Sequence, residues 1–368
     1  MEELKYKIAI TLLPGIGSVK TRAILSHLRS LEAFFTEKEA SLRRIPGIGD
    51  HLASRPARQK ALEQAEKESE FVEKNRIRVS WFLDDDYPSR LKQCEDAPVL
   101  LYFQGNTGTE ARKVLSIVGT RHATPYGIDR CNSIVEELAA AHPDLLIVSG
   151  LAYGIDVCAH KAALKHQLPT IAVLGHGLQM IYPASHRSVA REIVHQGALV
   201  TEYSTFHTPD KKNFIARNRI IAGLADATLV VESGEKGGAL ITADLANSYN
   251  RDVFALPGRA GDEWSKGCNR LIKKNMAALV EEAADLAWLL GWEMKSTQQQ
   301  TVQKELFLTL GHEEQLLLDI LKEQKELSLD ELAVLSGMPV SRTSALLLNL
   351  EFSGLVRNLP GNIYRWLP

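Results

Sequence analysis

Apolar residues in this chain follow two rhythms. Between residues 114 and 280 they come in short continuous runs: Val114–Val118, Leu145–Val148, Thr170–Leu174, Ala198–Thr201, Ala227–Val231, Val253–Leu256 and Ala278–Val280. Between the runs lie helix-compatible stretches at 127–141, 154–166, 186–196, 214–223, 239–249, 268–275 and 282–290. Short unbroken runs predict strands buried on both faces, and the intervening stretches predict the helices that cover them. Strand, helix, strand at this spacing implies right-handed crossovers. The fold class is therefore α/β, a mostly parallel sheet with helices on both faces.

The pattern changes on either side of this core. Residues 1–75 read as short helices around two copies of one turn, LPGIG at 13–17 and IPGIG at 45–49, and end in the polar helix AEKESEFVEKN. A connecting stretch at 79–105 contains Pro88 and Pro98, which break helices, and one strand candidate, Val99–Phe103. The α/β domain with this connector spans 76–292. The polar run KSTQQQTVQKE, within 293–311, predicts a linker. Residues 312–368 predict three helices and a closing hairpin around Pro360-Gly361, an order that resembles a winged helix. Ser328 is placed to cap the second of those helices and Gly337 to stop it.

Composition narrows the classes. At 368 residues, 45% hydrophobic and 24% charged, the chain has room for two or three globular domains. No apolar run is long enough to cross a bilayer, and MEELKYKIAI lacks the apolar core of a signal peptide. Cys94, Cys131, Cys158 and Cys268 have no metal-ligand spacing, so they predict buried thiols and a cytoplasmic location. The net charge of −2 hides a gradient. Residues 1–75 carry 13 Lys and Arg against 11 Asp and Glu, whereas residues 312–368 carry 5 against 8. With no strongly basic tail, a nucleic acid would have to be held by a local patch.

In a parallel sheet, ligands bind where the strand C-terminal ends gather. The residues that follow the strands here are Gly119-Thr120-Arg121, then Ser149-Gly150, Gly175-His176-Gly177, Glu202, Glu232-Ser233-Gly234 and Pro257-Gly258-Arg259. Lys236-Gly237-Gly238 opens a helix. Backbone amides, helix N-termini and the cations Arg121, Lys236 and Arg259 suit an anion, most often phosphate. No GxGxxG, GxxxxGK[ST] or GxSxG is present, and the histidines lack ligand spacing. No cofactor and no metal are expected. Asp156 or His160 with Glu202 and Glu232 is the nearest catalytic constellation; capping and sheet-edge hydrogen bonding account for it better.

The densest basic stretch is DKKNFIARNRI, where Lys211, Lys212, Arg217 and Arg219 surround Phe214. It suits an unpaired strand, with cations on phosphates and a ring on a base. It equally suits an amphipathic helix with Phe214 in the core. Lys266, Arg270, Lys273 and Lys274 form a second basic run.

Several stretches together resemble the DNA processing protein A (DprA/Smf) family: APVLLYFQG at 97–105, SIVGTRHATPYG at 116–127, IVSGLAYGIDVCAHKAAL at 147–164, TIAVLGHGLQMIYP at 170–183, FIARNRIIAGL at 214–224, GGALITADLA at 237–246 and LPGRAGDEWSKGCNRLI at 256–272. They follow the family's order across roughly residues 80–290. The resemblance implies a Rossmann-like core that binds single-stranded DNA, a homodimer formed through that core, and a non-catalytic mediator that brings RecA onto single strands during natural transformation. Carried over by motif, the strand would meet Gly119, Thr120, Arg121, Ser149, Gly150, Lys211, Lys212, Phe214, Arg217, Asn218, Arg219, Lys236, Gly237, Gly238 and Asn269. Three places depart from the family pattern. Ile215 stands where Pro is usual, Lys236-Gly237-Gly238 replaces Gly-Ser-Gly, and Asn275-Met276-Ala277 replaces Gly-Ala. The alternative on this scaffold is a phosphoribohydrolase-type enzyme acting on nucleotides.

The repeated turn then reads as a tandem helix-hairpin-helix (SAM-like) domain, in which a glycine turn can offer amides to a phosphate. Gly15, Gly17 and Lys20 are the candidates in the first copy, and whether they touch DNA or only let helices pack stays open. Asp50 and His51 after the second copy favour packing. The winged-helix-like end offers only Arg342 on its would-be recognition helix, which favours a protein-interaction or regulatory role.

Overall fold

The computed structural model describes residues 2–292, 311–359 and 361–367, in two compact units divided near residue 297. Apart from Gly311, the predicted linker lies outside the described residues, as does Pro360.

The first unit opens with α1 (Glu2–Thr11), α2 (Ser18–Leu28), α3 (Leu31–Thr36), α4 (Glu39–Leu42), α5 (Asp50–Ala53) and α6 (Arg55–Lys74). One glycine turn joins α1 to α2 and its copy joins α4 to α5. Gly15 and Gly47 have φ of +77° and +82°, the left-handed region that a side chain disfavours. Leu13, Ile16 and Ile24 are buried, and so are Leu42, Ile45, Ile48 and Leu52 around the copy. Arg58 is buried among them and donates to the carbonyls of Phe34, Phe35, Glu37 and Ala53. Those carbonyls end α3 and α5, so one side chain satisfies groups that the helices leave open.

The sheet strands and their helices follow as β1 (Arg78–Trp81), α7 (Ser89–Lys92), β2 (Leu100–Gly105), β3 (Val114–Val118), α8 (Pro125–Ala141), β4 (Leu146–Ser149), α9 (Ile155–Lys165) and β5 (Thr170–Val173). Then come α10 (Arg187–Gln196), β6 (Ala198–Thr201), α11 (Lys211–Leu224), β7 (Ala227–Val230), α12 (Gly238–Ser248), β8 (Asp252–Ala255), α13 (Lys266–Lys273), β9 (Ala278–Leu279) and α14 (Ala283–Leu289). The strand order is β1-β2-β6-β5-β4-β3-β7-β8-β9. β1 and β2 pair antiparallel at one edge, and the strands from β6 to β9 are parallel. β1 was not expected from the sequence.

Each central strand divides its residues between two cores. Leu115 and Ile117 of β3 pack with α8, α9 and α14; Val114 and Val118 pack on the opposite side with α11 and α12. That second core continues without a break into Ile8, Ile24 and Phe34 of the amino-terminal helices. The boundary expected at 75/76 marks the change from α6 to β1, and apolar packing runs across it. Two polar ties cross it or lie beside it. Glu68 of α6, 2% exposed, accepts hydrogen bonds from the N–H of Thr205 at 3.0 and 3.1 Å and from its hydroxyl. Arg90 of α7 grips Asp226, just before β7, with bonds of 2.6 and 3.0 Å.

The second unit is a winged helix built from α15 (His312–Gln324), β10 (Glu326–Ser328), α16 (Leu329–Ser336), α17 (Val340–Phe352), β11 (Val356–Leu359) and β12 (Ile363–Trp366), with sheet order β10-β12-β11. Ser328 and Glu331 form the capping box of α16, and Gly337 ends it in the left-handed conformation. Leu317, Leu321, Leu332, Leu347, Leu350 and Tyr364 make its own core.

Candidate nucleic-acid interface

The chain runs outward from β3 through β4 and β5 to β6, then returns to the other side of β3 as β7 and β8. The crevice between the ends of β3 and β7 is thus the switch point, where open α/β sheets bind ligands. A cleft of about 1070 Å³ lies there. Its walls are the turn after β3, the front of α11, the Gly234–Gly238 turn with the start of α12, and the segment leading into α13.

Local rules shape each wall. Gly154 (φ +75°) brings its backbone against Thr120, where a Cβ would collide with the Thr120 carbonyl. Thr120 N–H donates to the Glu232 carbonyl at 2.7 Å, pinning the two turns together. Asp210 caps α11 by accepting from Lys212 N–H at 2.7 Å, and α12 opens at Gly237-Gly238 with no side-chain cap, both glycines lining the cleft.

Arg121, Lys211 and Lys236 are exposed in the lining, joined by Lys266 and Arg270 of α13. Phe214 packs against Gly175 and tilts onto Tyr182, with ring centres 5.5 Å apart. Gly119, Thr120, Asn218, Gly237 and Gly238 also line the cleft. Glu235, Asp244, Glu263 and the buried Asp156 offset part of the positive charge. Burial pushes the Asp156 carboxyl up, against the pull of Arg217 and Arg121.

Other predicted contacts are placed differently. Arg217 lies at the cleft floor but is only 4% exposed, and its guanidinium donates to the carbonyls of Gly150, at 2.7 Å, and Val173. Burial lowers its pKa to about 10. In this structure one guanidinium nitrogen is engaged by backbone carbonyls. Gly150 is buried beneath it, and Ser149 donates to the Ile117 carbonyl at 2.6 Å. Asn269 holds the backbone of Gly258 with two hydrogen bonds, and Lys212 is exposed outside the cleft lining.

Arg219 leaves the cleft altogether. It pairs with Glu202 at 2.5 Å and lines a separate cavity of about 690 Å³ between the first glycine turn, residues 95–100 and the loop after β6. Gly15, Gly17 and Lys20 line that cavity too, with Lys20 stretched across both glycine turns. Glu95, Asp96 and Glu202 share it, so its charge is mixed. The proposed catalytic carboxylates are also separated. Glu232 accepts from the N–H and hydroxyl of Thr124, at 2.9 and 2.5 Å, while Glu202 faces the second cavity and Asp156 the first. Sequence reasoning missed His122 and Trp264, which both line the cleft. The available signal was an aromatic two residues before a basic run at a strand end.

Fold and cleft together define a class: a Rossmann-like protein with a cation-lined crevice, extended by a helix-hairpin-helix tandem and accompanied by a winged helix. Residues 78–291 match the family described as DNA recombination-mediator protein A, residues 308–362 the DprA winged helix domain, and residues 8–55 the SAM-like helix-hairpin-helix tandem. The chain belongs to the DNA recombination-mediator protein A (DprA/Smf) family. It is 32% identical to Protein Smf of Synechocystis sp., covering 99% of this chain and 98% of that one. DNA processing protein A of Streptococcus pneumoniae has a solved structure that superposes with a TM-score of 0.63 at 31% identity, over 77% of this chain and 97% of that one. DNA processing protein A of Helicobacter pylori, whose structure was described for its single-stranded DNA binding mode, matches at a TM-score of 0.53 and 30% identity, over 58% and 95%.

Proposed function

We propose that this protein binds single-stranded DNA without sequence preference through the switch-point cleft, and that it helps load RecA during recombination and natural transformation. The observation that carries the reading is the cleft lining. Exposed cations and the glycine-rich start of α12 line it from several elements, and the aromatic side chains of Phe214 and Trp264 sit among them. Phosphates meet the cations and amides, and bases meet a ring. The H. pylori relative, similar over 58% of this chain, supports the choice of single-stranded DNA.

A homodimer through the Rossmann-like core, a cytoplasmic location and a purely mediating, non-catalytic role belong to the same reading. The separation of Glu232, Glu202 and Asp156 supports the last of these, since a hydrolase needs its carboxylates around one reacting bond.

Binding of single-stranded and duplex oligonucleotides of equal length, across a salt series, tests the proposal. Single strands should bind more tightly, with affinity falling steeply with salt. Arg121→Ala and Lys236→Ala should each weaken every sequence alike and reduce the log–log salt slope by about 0.7. Wild-type affinity in both variants would overturn the assignment of this cleft. RecA loading is checked by the rate of RecA filament growth on the bound strand.

A further inference from the structure

Trp264 is out of place as a core residue. It is partly exposed and, among the described residues, belongs to none of the hydrophobic cores. It sits in the short turn before α13, and its carbonyl accepts from Ser233 N–H at 2.7 Å, which fixes the backbone beside the β7 end. Its ring packs over Gly234, where an added Cβ would lie 3.4 Å from two ring carbons. The imidazole of His122, itself exposed, is stacked on the indole with ring centres 5.2 Å apart and planes 29° apart. Both rings line the cleft, flanked by Lys236 and Lys266.

A supported, partly open indole carrying a second flat ring, set among cations, is the arrangement a nucleobase recognises. Its backbone is held by a hydrogen bond and its ring lies on a glycine, so little conformational freedom remains to be lost on binding. Phe214, tilted onto Tyr182, stands on the α11 wall of the same cleft, so the lining contains two aromatic stations.

We infer that the Trp264–His122 stack is a second base-stacking platform, which holds one nucleobase of the strand while Phe214 holds another. The inference rests on the single-strand reading above and adds to it how many bases the cleft grips and where. A π-face accepts any base, so the platform adds affinity and leaves sequence preference flat.

The test compares an oligo-dT 20-mer with an abasic 20-mer of the same phosphate count. Each is titrated against wild type, Trp264→Ala, Trp264→Leu and Trp264→Phe, with unfolding midpoints measured in parallel. Wild type should prefer oligo-dT. Trp264→Ala and Trp264→Leu should each shrink that preference about ten-fold while leaving abasic binding and the salt slope unchanged, and Trp264→Phe should restore most of it. Oligo-dT, but not the abasic strand, should quench a component of tryptophan fluorescence that Trp264→Phe lacks. Trp264→Leu keeps the apolar bulk, so it stands in should the alanine variant fail to fold. An unchanged preference in folded Trp264→Leu overturns the platform and leaves single-strand binding intact. Equal wild-type affinity for the two strands overturns the platform and the Phe214 base contact together, and leaves phosphate-driven binding intact. Failure of wild type to bind either strand at low salt overturns both readings.

Discussion

Arg217 and Arg219 stand two residues apart and do different work. Arg217 is committed to the carbonyls of Gly150 and Val173, and Arg219 to Glu202 in another cavity. Replacing Arg217 with Ala leaves two buried carbonyls unpaired. We expect a loss of about 1–3 kcal/mol of stability in urea denaturation, not a change confined to the salt slope of binding.

His160 gives a prediction in pH. Thr170 hydroxyl donates to the Ile147 carbonyl at 3.0 Å, so the 2.7 Å contact between His160 Nδ1 and the Thr170 oxygen requires a proton on Nδ1. Nε2 is then a buried lone pair without a partner. Burial, with Arg217 and His186 nearby, drives the pKa from 6.5 down to about 3. The unfolded chain therefore takes up a proton near pH 6.5 that the folded state refuses. Stability contributed by the neutral ring is full above pH 6.5 and is lost as pH falls toward 3. In His160→Leu, the fall of the urea midpoint between those limits should be shallower. His176 and His207, whose pKa values burial also lowers, keep part of the slope.

At the scale of elements, helix periodicity explains why one basic motif divides between two cavities. On α11, residues 214, 217, 218 and 221 fall on one face and meet the cleft; residue 219 is turned away from them. The period alone did not make that division legible, because Ile215, one turn before Arg219, also lines the cleft. The core strands were legible, as apolar runs. β1 was not, because a four-residue edge strand with Arg78 and Ser80 in it has no such run, and β10 has only three residues. Strand order is set by pairings distant in sequence, so the switch point itself was visible only in the structure. The Trp264 wall was hidden for the same reason: residues 122, 234 and 264 meet only once β3 and β7 are neighbours.

The glycine turns test the same scale. Gly15 has open space apart from Lys20, so Gly15→Ala isolates backbone strain from crowding. It should cost about 1–2 kcal/mol by urea denaturation.

For the whole molecule, the two units differ in how far they depend on the rest. The winged helix has its own core. A chain ending at residue 292 should keep its single-strand affinity within two-fold and retain a cooperative unfolding transition. Removing residues 1–75 should be different, because Ile8, Ile24 and Phe34 belong to the same apolar body as Val148 and Val173. That truncation should expose one side of the sheet and give an aggregating product, checked by light scattering. In the winged helix, Arg342, the cation on its would-be recognition helix, donates to Glu313 at 2.6 Å.

Glu68 has one more consequence, in mechanics. It ties the long amino-terminal helix α6 to the loop from which α11 springs. A carboxylate clamped to that loop acts as a tie-rod, so a push on the outer surface of the helix is delivered to the root of the cleft wall. The amino-terminal helices and the α11 wall of the cleft are thereby harnessed together.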